Sequence, residues 1–276
     1  LKSELYVSND SVVVSELEVY QALSTLKSRK ASLSDAIPNK LLLNLADILS
    51  APIAALVNSS IRTGCIPREW KISRVTLIPK VNPAFRVETD IRPISVSCPI
   101  AGVAERIISR HFDDNFTFHQ DPNQFGVTKD RSTVLALVKL CHILFTASDD
   151  CCNYIRILFI DFTKAFDLID HNVLLNKFVD YEFPLWLKTW SLSFLHERSQ
   201  FVKAGDIISS VGTINAGAPQ GTRAGGNSFK LLINDLNCST HCIKYVDDVT
   251  IATVSSDPID GRMQSAFEDL IEWVHV

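Results

Sequence analysis

Ile243-Lys244-Tyr245-Val246-Asp247-Asp248-Val249-Thr250-Ile251-Ala252 is the stretch whose reading decides the fold. Both flanks are β-prone, so the segment reads as a tight hairpin with the two aspartates at its tip. An ordinary tip takes Asn-Gly or Asp-Gly, because glycine tolerates positive φ. Adjacent carboxylates repel one another, and a cation is their natural compensation. A hard divalent ion needs oxygen ligands, and magnesium takes one or two carboxylates plus substrate phosphates.

Upstream, residues 154–160 form an apolar run rich in isoleucine that reads as a buried strand, with Asp161 directly after it. Such an aspartate is either the N-cap of a following helix or a ligand held where a core-anchored element meets solvent. With Asp247 and Asp248 the balance moves to a ligand. Aspartates from two neighbouring strands could hold two ions about 3.5–4 Å apart, the spacing of two-metal phosphoryl transfer.

The remaining chain reads as mixed strands and helices without regular alternation, which defines an α+β class. A capping box at Ser15 and Glu18 opens a helix to about Arg29. A second helix follows Pro38 to Gly64, bent or split at Pro52. Residues 72–79 and 91–96 read as strands; residues 101–112 and 132–145 read as helices, the latter with Val134, Leu137, Val138, Cys141, Leu144 and Phe145 on one face. Helices are expected at 172–179 and 184–195, a hairpin around Gly205-Asp206, a helix at 222–236, strands at 242–246 and 249–254, and a last helix after Asp257.

Composition narrows the class. With 46% apolar residues over 276 positions, the chain can bury a large core. The longest apolar stretch, residues 41–57, is interrupted by Asn44, Asp47 and Pro52, so no membrane span is expected. Leu1 is no initiator and the only methionine is Met263, which suggests a fragment of a longer protein. The odd count of seven cysteines, including Cys151-Cys152, is no disulfide framework, and an intracellular, reducing compartment is expected. Cys238, His241 and Cys242 lack the second pair that a zinc site requires. The net charge of −4 is not that of a general nucleic-acid binder. Yet residues 62–92 carry Arg62, Arg68, Lys71, Arg74, Lys80, Arg86 and Arg92 against Glu69, Glu88 and Asp90. That distribution suits one lobe holding phosphates and another holding carboxylates.

The motifs resemble a family. Phe159-Ile160-Asp161-Phe162-Thr163-Lys164-Ala165-Phe166-Asp167 resembles the first palm motif of reverse transcriptases of non-LTR (LINE-type) retrotransposons. Tyr245-Val246-Asp247-Asp248 resembles their Tyr-X-Asp-Asp motif. The likeness continues, in order, through Ile66-Pro67 and Trp70-Lys71, Leu77-Ile78-Pro79-Lys80, Ile91-Arg92-Pro93-Ile94-Ser95 and Gln124-Phe125-Gly126. It also takes in Arg131-Ser132-Thr133, Asp167-Leu168-Ile169-Asp170-His171 and Ala218-Pro219-Gln220-Gly221-Thr222-Arg223, spanning about Asp35 to Trp273.

The resemblance implies a polymerase right hand, with fingers over roughly residues 1–150 and an RRM/ferredoxin-like antiparallel palm over 151–276, the thumb lying beyond. It implies RNA-directed DNA synthesis from dNTPs on an RNA template and DNA primer, as part of a retrotransposon polyprotein. By motif position, Asp161 and Asp247, assisted by Asp248 and completed by the backbone carbonyl of Phe162, would ligate two Mg2+ ions, with Mn2+ a substitute. Phe166 would be the steric gate against the 2′-hydroxyl. Lys80 and Arg92 would grip the triphosphate, and Gln220-Gly221 would contact the incoming nucleotide. Two departures stand out. The family's Gly-Pro-X-Leu-Phe-Leu is replaced by Gly225-Gly226-Asn227-Ser228-Phe229-Lys230, with Lys230 expected to face solvent or template, and Gly-Phe-Arg becomes Gly126-Val127-Thr128. Adjacent glycines should loosen the helix by roughly 1 kcal/mol each. These departures leave open a degenerate or domesticated, non-catalytic RNA-binding remnant. An RNA-dependent RNA polymerase is disfavoured, since it carries Gly-Asp-Asp where this chain has Val246-Asp247-Asp248 and lacks a bulky gate.

Overall fold

The structure is a computed structural model describing residues 12–28, 37–149 and 153–275. The expected helix end at Arg29 and the Cys151-Cys152 pair lie outside these residues. In chain order the elements are α1 (Glu16–Ser24), α2 (Asn39–Asn44), α3 (Ala46–Thr63), a 3-10 turn (Arg68–Lys71), β1 (Ile72–Pro79), α4 (Val87–Asp90), β2 (Ile91–Val96), α5 (Pro99–Phe116) and α6 (Thr133–Ser148). There follow β3 (Tyr154–Asp161), α7 (His171–Asp180), α8 (Leu185–Leu195), β4 (Arg198–Ala204), β5 (Ile207–Ile208), β6 (Gly212–Ile214), α9 (Arg223–Leu232), β7 (His241–Tyr245), β8 (Asp248–Ser255) and α10 (Arg262–His275). The class is mixed α+β.

The chain divides into two compact units that interleave in sequence: residues 1–118 with 166–228, and 119–165 with 229–276. The first holds a sheet ordered β2-β1-β4-β5, with β6 pairing β4. Its strand β1 is antiparallel to β2 and parallel to β4. In the same unit, the rings of Phe112, Phe116, Phe178 and Phe183 stack and tilt against one another at centroid distances of 5.0–6.3 Å. Burying each such ring contributes roughly 1.5–3 kcal/mol. Trp190 stacks on Phe194 and donates its indole N–H to Ser60 Oγ at 3.1 Å, which satisfies its one polar group. The second unit holds a three-stranded antiparallel sheet, β3-β8-β7.

Several expectations change. The second predicted helix divides at Leu45 (φ −112°), not at Pro52, which lies inside α3. A proline there forgoes the N–H bond to the residue four back, and the flanking turns hold the helix together. Strand β3 is an edge strand, not a buried one: Tyr154, Ile157 and Phe159 are exposed. Periodicity cannot tell a strand buried on two faces from an apolar edge strand. The stripe on α6 is also exposed apart from the half-buried Leu144; within that helix only Ala147 is buried. Lys230 is buried, at 2% exposure, and donates to the Val127 carbonyl at 3.3 Å. Enclosure of α9 on its polar side is what the helical wheel could not reveal: Asn227 and Asn234 are buried there too.

Candidate functional site

Three aspartates gather at one end of the second unit's sheet. Strands β3 and β8 pair so that Asp161 lies directly opposite Asp248, and the register runs unbroken back to Tyr154 and Ser255. Directly opposed residues share a face, with Cβ atoms about 4.5–5.5 Å apart. Asp248 also faces Tyr245 across β7, so the loop of the hairpin is Val246 and Asp247, and Asp248 is already the first strand residue. The acidic pair therefore straddles the turn's exit, one residue later than a symmetric tip would have it. Val246 takes φ +58°, a position that hairpins ordinarily give to glycine.

The electrostatics agree with this grouping. The Asp248 carboxyl is held above the usual aspartate range, first by partial burial and then by the neighbouring charges of Asp247 and Asp161. Among the described residues no three His, Cys, Asp or Glu side chains converge into a ready-made ion cage. The donors are nonetheless hard carboxylate oxygens in mutual repulsion, and magnesium completes its shell from water and substrate phosphates, not from an all-protein cage. The donor set fits such an ion. Phe162 follows Asp161 directly, and its ring meets Trp273 of α10 edge-on at 6.2 Å, which anchors the strand end. Trp273 in turn donates to Asp235 Oδ1 at 2.9 Å.

The other candidates belong to the first unit. Lys80 and Arg92 are exposed at one end of the β1–β2 hairpin, where Ile78 opposes Arg92 and the Lys80 N–H donates to the Asp90 carbonyl at 2.7 Å. Strand alternation puts Lys80, two residues beyond Ile78, on the face that carries Arg92. The loop ahead of α9 is bonded to two of the other motifs. Ser95 N–H donates to the Gln220 carbonyl at 2.9 Å, and Ala218 N–H donates to the Phe166 carbonyl at 2.8 Å. Gly221 lies against Ile94 and Ser95. Arg92, Phe166, Gln220 and Gly221 thus sit on three chain segments joined through their backbones. His171 adds a contact from its Nε2 to the Gly217 carbonyl at 2.7 Å.

Sequence reasoning missed what holds this loop. Glu105, 3% exposed, accepts from the N–H groups of Arg223 (3.0 Å) and Ala224 (3.3 Å), capping α9 with a side chain from α5. Burial pushes its carboxyl up, opposed by the Arg198 guanidinium and the two N–H donors. Arg198 is itself pulled down to about 10 by burial, with Glu105 acting the other way. Its guanidinium donates to Ser73 Oγ and the Phe194 carbonyl and lies over the Phe194 ring. The available signal was a lone charge on the buried stripe Ala101, Ala104, Ile108 and Phe112 of α5. Gly225, which stands where the family pattern also has glycine, is fixed by a close backbone approach. A Cβ on Gly225 would stand 2.4 Å from the Pro219 carbonyl oxygen, so the backbone approach excludes any side chain. The small cavity beside Glu105, lined by Ser109, Phe112, Trp190 and Asn227, has room for about one water and contains none of the candidate residues.

Residues 78–275 match the family described as Reverse transcriptase (RNA-dependent DNA polymerase), and the chain belongs to that family. Its relatives are mobile-element proteins, in keeping with the non-LTR resemblance read from the motifs. It is 28% identical over 263 residues to the RNA-directed DNA polymerase from mobile element jockey of Drosophila melanogaster, covering 93% of this chain and 28% of that protein. It is 28% identical over 223 residues to the probable RNA-directed DNA polymerase from transposon BS of the same species, covering 80% and 24%. A retrovirus-related Pol polyprotein from type-1 retrotransposable element R1 of Bradysia coprophila is 24% identical over 263 residues, covering 92% and 25%. The chain thus spans about a quarter of the length of these relatives. Among the described residues no helix is long and apolar enough to cross a membrane.

Proposed function

We propose that this chain carries the catalytic residues of an RNA-directed DNA polymerase of a non-LTR retrotransposon, extending a primer 3′-hydroxyl with dNTPs on an RNA template. The observation that carries the reading is the register that sets Asp161 opposite Asp248 at the mouth of the Val246-Asp247 turn. In this reading β3, β8 and β7 belong to an RRM-like palm, and the β1–β2 hairpin belongs to the fingers.

Asp161, Asp247 and Asp248, with the Phe162 carbonyl, would hold two magnesium ions, for which manganese could substitute. When bound, such ions supply a primer hydroxyl of lowered pKa and neutralise charge on the triphosphate and departing pyrophosphate. The chain's own residues then position and discriminate. Lys80 and Arg92, sharing one hairpin face, offer an ammonium and a planar guanidinium to phosphate oxygens. Phe166 would exclude a 2′-hydroxyl by filling the space beneath the sugar. The Gln220-Gly221 loop, bonded to Ser95 through the Gln220 carbonyl, would present its backbone to the nucleotide.

One departure after Gln220, Lys230, weighs less toward a decayed copy than the sequence suggests. The Lys230 side chain is buried, and its ammonium donates to the Val127 carbonyl. The test is primer extension on an RNA template with magnesium, comparing deoxy- and ribonucleotides, for the unaltered protein, Asp161→Asn and Asp247→Asn. Extension with deoxynucleotides that both substitutions abolish is the expected result. Extension at the normal rate by either folded variant would refute the assignment.

A further inference from the structure

We infer that Gln124 is a positioning residue for the acidic turn, its side-chain oxygen holding the Val246 N–H and thereby setting where Asp247 and Asp248 point. The inference rests on the polymerase reading of those two aspartates. Gln124 is 1% exposed, and its Oε1 accepts from the N–H groups of Gly126 at 2.8 Å and Val246 at 3.0 Å. One oxygen therefore joins the Gln-Phe-Gly segment to the first residue of the turn.

The segment is in turn locked to the strand that leads into the turn. Lys244 N–H donates to the Asn123 carbonyl at 2.9 Å, and Phe125 N–H donates to the Lys244 carbonyl at 2.8 Å, so Gln124 bridges in parallel to Lys244 beside β7. Gly126 presses closest: a Cβ there would lie 2.4 Å from Val246 Cγ2 and 2.6 Å from Val246 N. Val246 is β-branched yet sits at φ +58°, a region such residues rarely enter. Sequence preference alone would relax this turn. The contacts from Gln124 and Gly126 are what oppose that relaxation, and the strained residue is the one preceding Asp247.

The choice of an amide has a physical reason. Gln124 Nε2 is buried without a hydrogen-bond partner, so only the oxygen is used. A glutamate could offer the same oxygen, but as a further negative charge next to three aspartates. Glutamine supplies a neutral acceptor, leaving the acidic end free to bind cations.

The test uses Gln124→Met, which keeps the length and removes the acceptor, alone and combined with Val246→Gly, which makes positive φ costless. In primer extension by the full-length protein, Gln124→Met should lower kcat about ten-fold or more, the scale of one lost buried hydrogen bond. It should also raise the free Mg2+ needed for half-maximal rate, while the KM for dNTP stays within about two-fold, since uniform substrate binding is untouched. On the Val246→Gly background the same substitution should cost no more than about three-fold, because the two residues act on one peptide. An unchanged kcat and Mg2+ requirement in Gln124→Met overturns the inference. So does an equal loss in both backgrounds, or a double variant that still fails to fold. Asp247→Asn measured alongside separates the two claims. If it is inactive while Gln124→Met is normal, only the role of Gln124 falls; if it extends normally, the polymerase reading falls and takes this inference with it.

Discussion

Replacing Lys244 by methionine should destabilise the second unit more than any conservative change at its charged partner. Lys244 is wholly buried, and its ammonium reaches Asp121 Oδ2 at 2.6 Å and the carbonyls of Ile233 (3.0 Å), Asn234 (3.1 Å) and Leu236 (2.8 Å). The three carbonyls lie just past the C-terminus of α9, the negative end of its dipole. Methionine keeps the stem but leaves Asp121, only 15% exposed, as an uncompensated charge and strips three carbonyls of their donor. Breaking a buried pair in this way costs about 3–5 kcal/mol. Asp121→Asn keeps the ammonium on its carbonyls and leaves an amide oxygen to accept, converting an ion–ion hydrogen bond to an ion–dipole one at about 1 kcal/mol. Urea unfolding followed by circular dichroism measures both. With a slope of about 2–3 kcal/mol per molar, Lys244→Met should lower the midpoint by about 1–2.5 M and Asp121→Asn by about 0.5 M or less. Equal shifts, or a loss below about 1 kcal/mol for Lys244→Met, would show that the ammonium is not what holds β7 to the end of α9.

Three further outcomes are expected. The folded protein holds the Glu105 proton more tightly than the unfolded chain does, because burial outweighs Arg198 and the two N–H donors. Its contribution to stability is therefore greatest in acid and declines as pH rises from the ordinary glutamate range through the raised folded value. The urea midpoint of the unaltered protein minus that of Glu105→Gln should fall between about pH 4 and neutrality; a flat or rising difference would contradict this. Gly225→Ala should cost about 1–3 kcal/mol, since the new Cβ meets the Pro219 carbonyl at 2.4 Å and cannot repack. Thermal unfolding would register this as a drop of several degrees, at roughly 2–4 °C per kcal/mol. Phe166→Ala keeps the backbone carbonyl that bonds Ala218, and in its folded form should incorporate ribonucleotides more readily. Unchanged sugar selectivity in that variant would remove the gate.

Much of the fold was legible, for local reasons. Strands β1 and β2 run over the residues expected, and the capping box at Ser15 forms with both of its hydrogen bonds, Glu18 N–H to Ser15 Oγ and Ser15 N–H to Glu18 Oε2. The hairpin around Gly205-Asp206 likewise pairs Ala204 with Ile207. These depend on neighbours in sequence. The misreadings concern the environment instead. An apolar period marks the face that Val134, Leu137 and Phe145 share on α6, but it cannot say whether another element lies over that face. A polar stripe on α9 says equally little about whether Lys230 meets water or the Val127 carbonyl.

The site divides along the same line. Asp161, Asp247 and Asp248 could be proposed because their chemistry is in their side chains; the β-prone flanks made the hairpin legible, but not which residue Asp161 would oppose. Glu105, Gln124 and Lys244 work differently: each spends its polar atoms largely on main-chain groups of a distant segment. A main-chain N–H is the same at every residue, so nothing at Val246, Arg223 or Leu236 announces the partner it needs. What the sequence does carry is the other half of each bond, an ionisable or amide side chain placed where burial is otherwise expected. Glu105 lies on the apolar stripe of α5, and Lys244 follows Ile243 in a strand whose neighbours Cys242 and Ile243 are buried. Leaving a buried polar side chain wholly unbonded is costly, so each such position implies a specific acceptor or donor elsewhere, even where one atom, as at Gln124 Nε2, goes unused. In this chain those implied partners stand at the two ends of α9 and at the acidic turn.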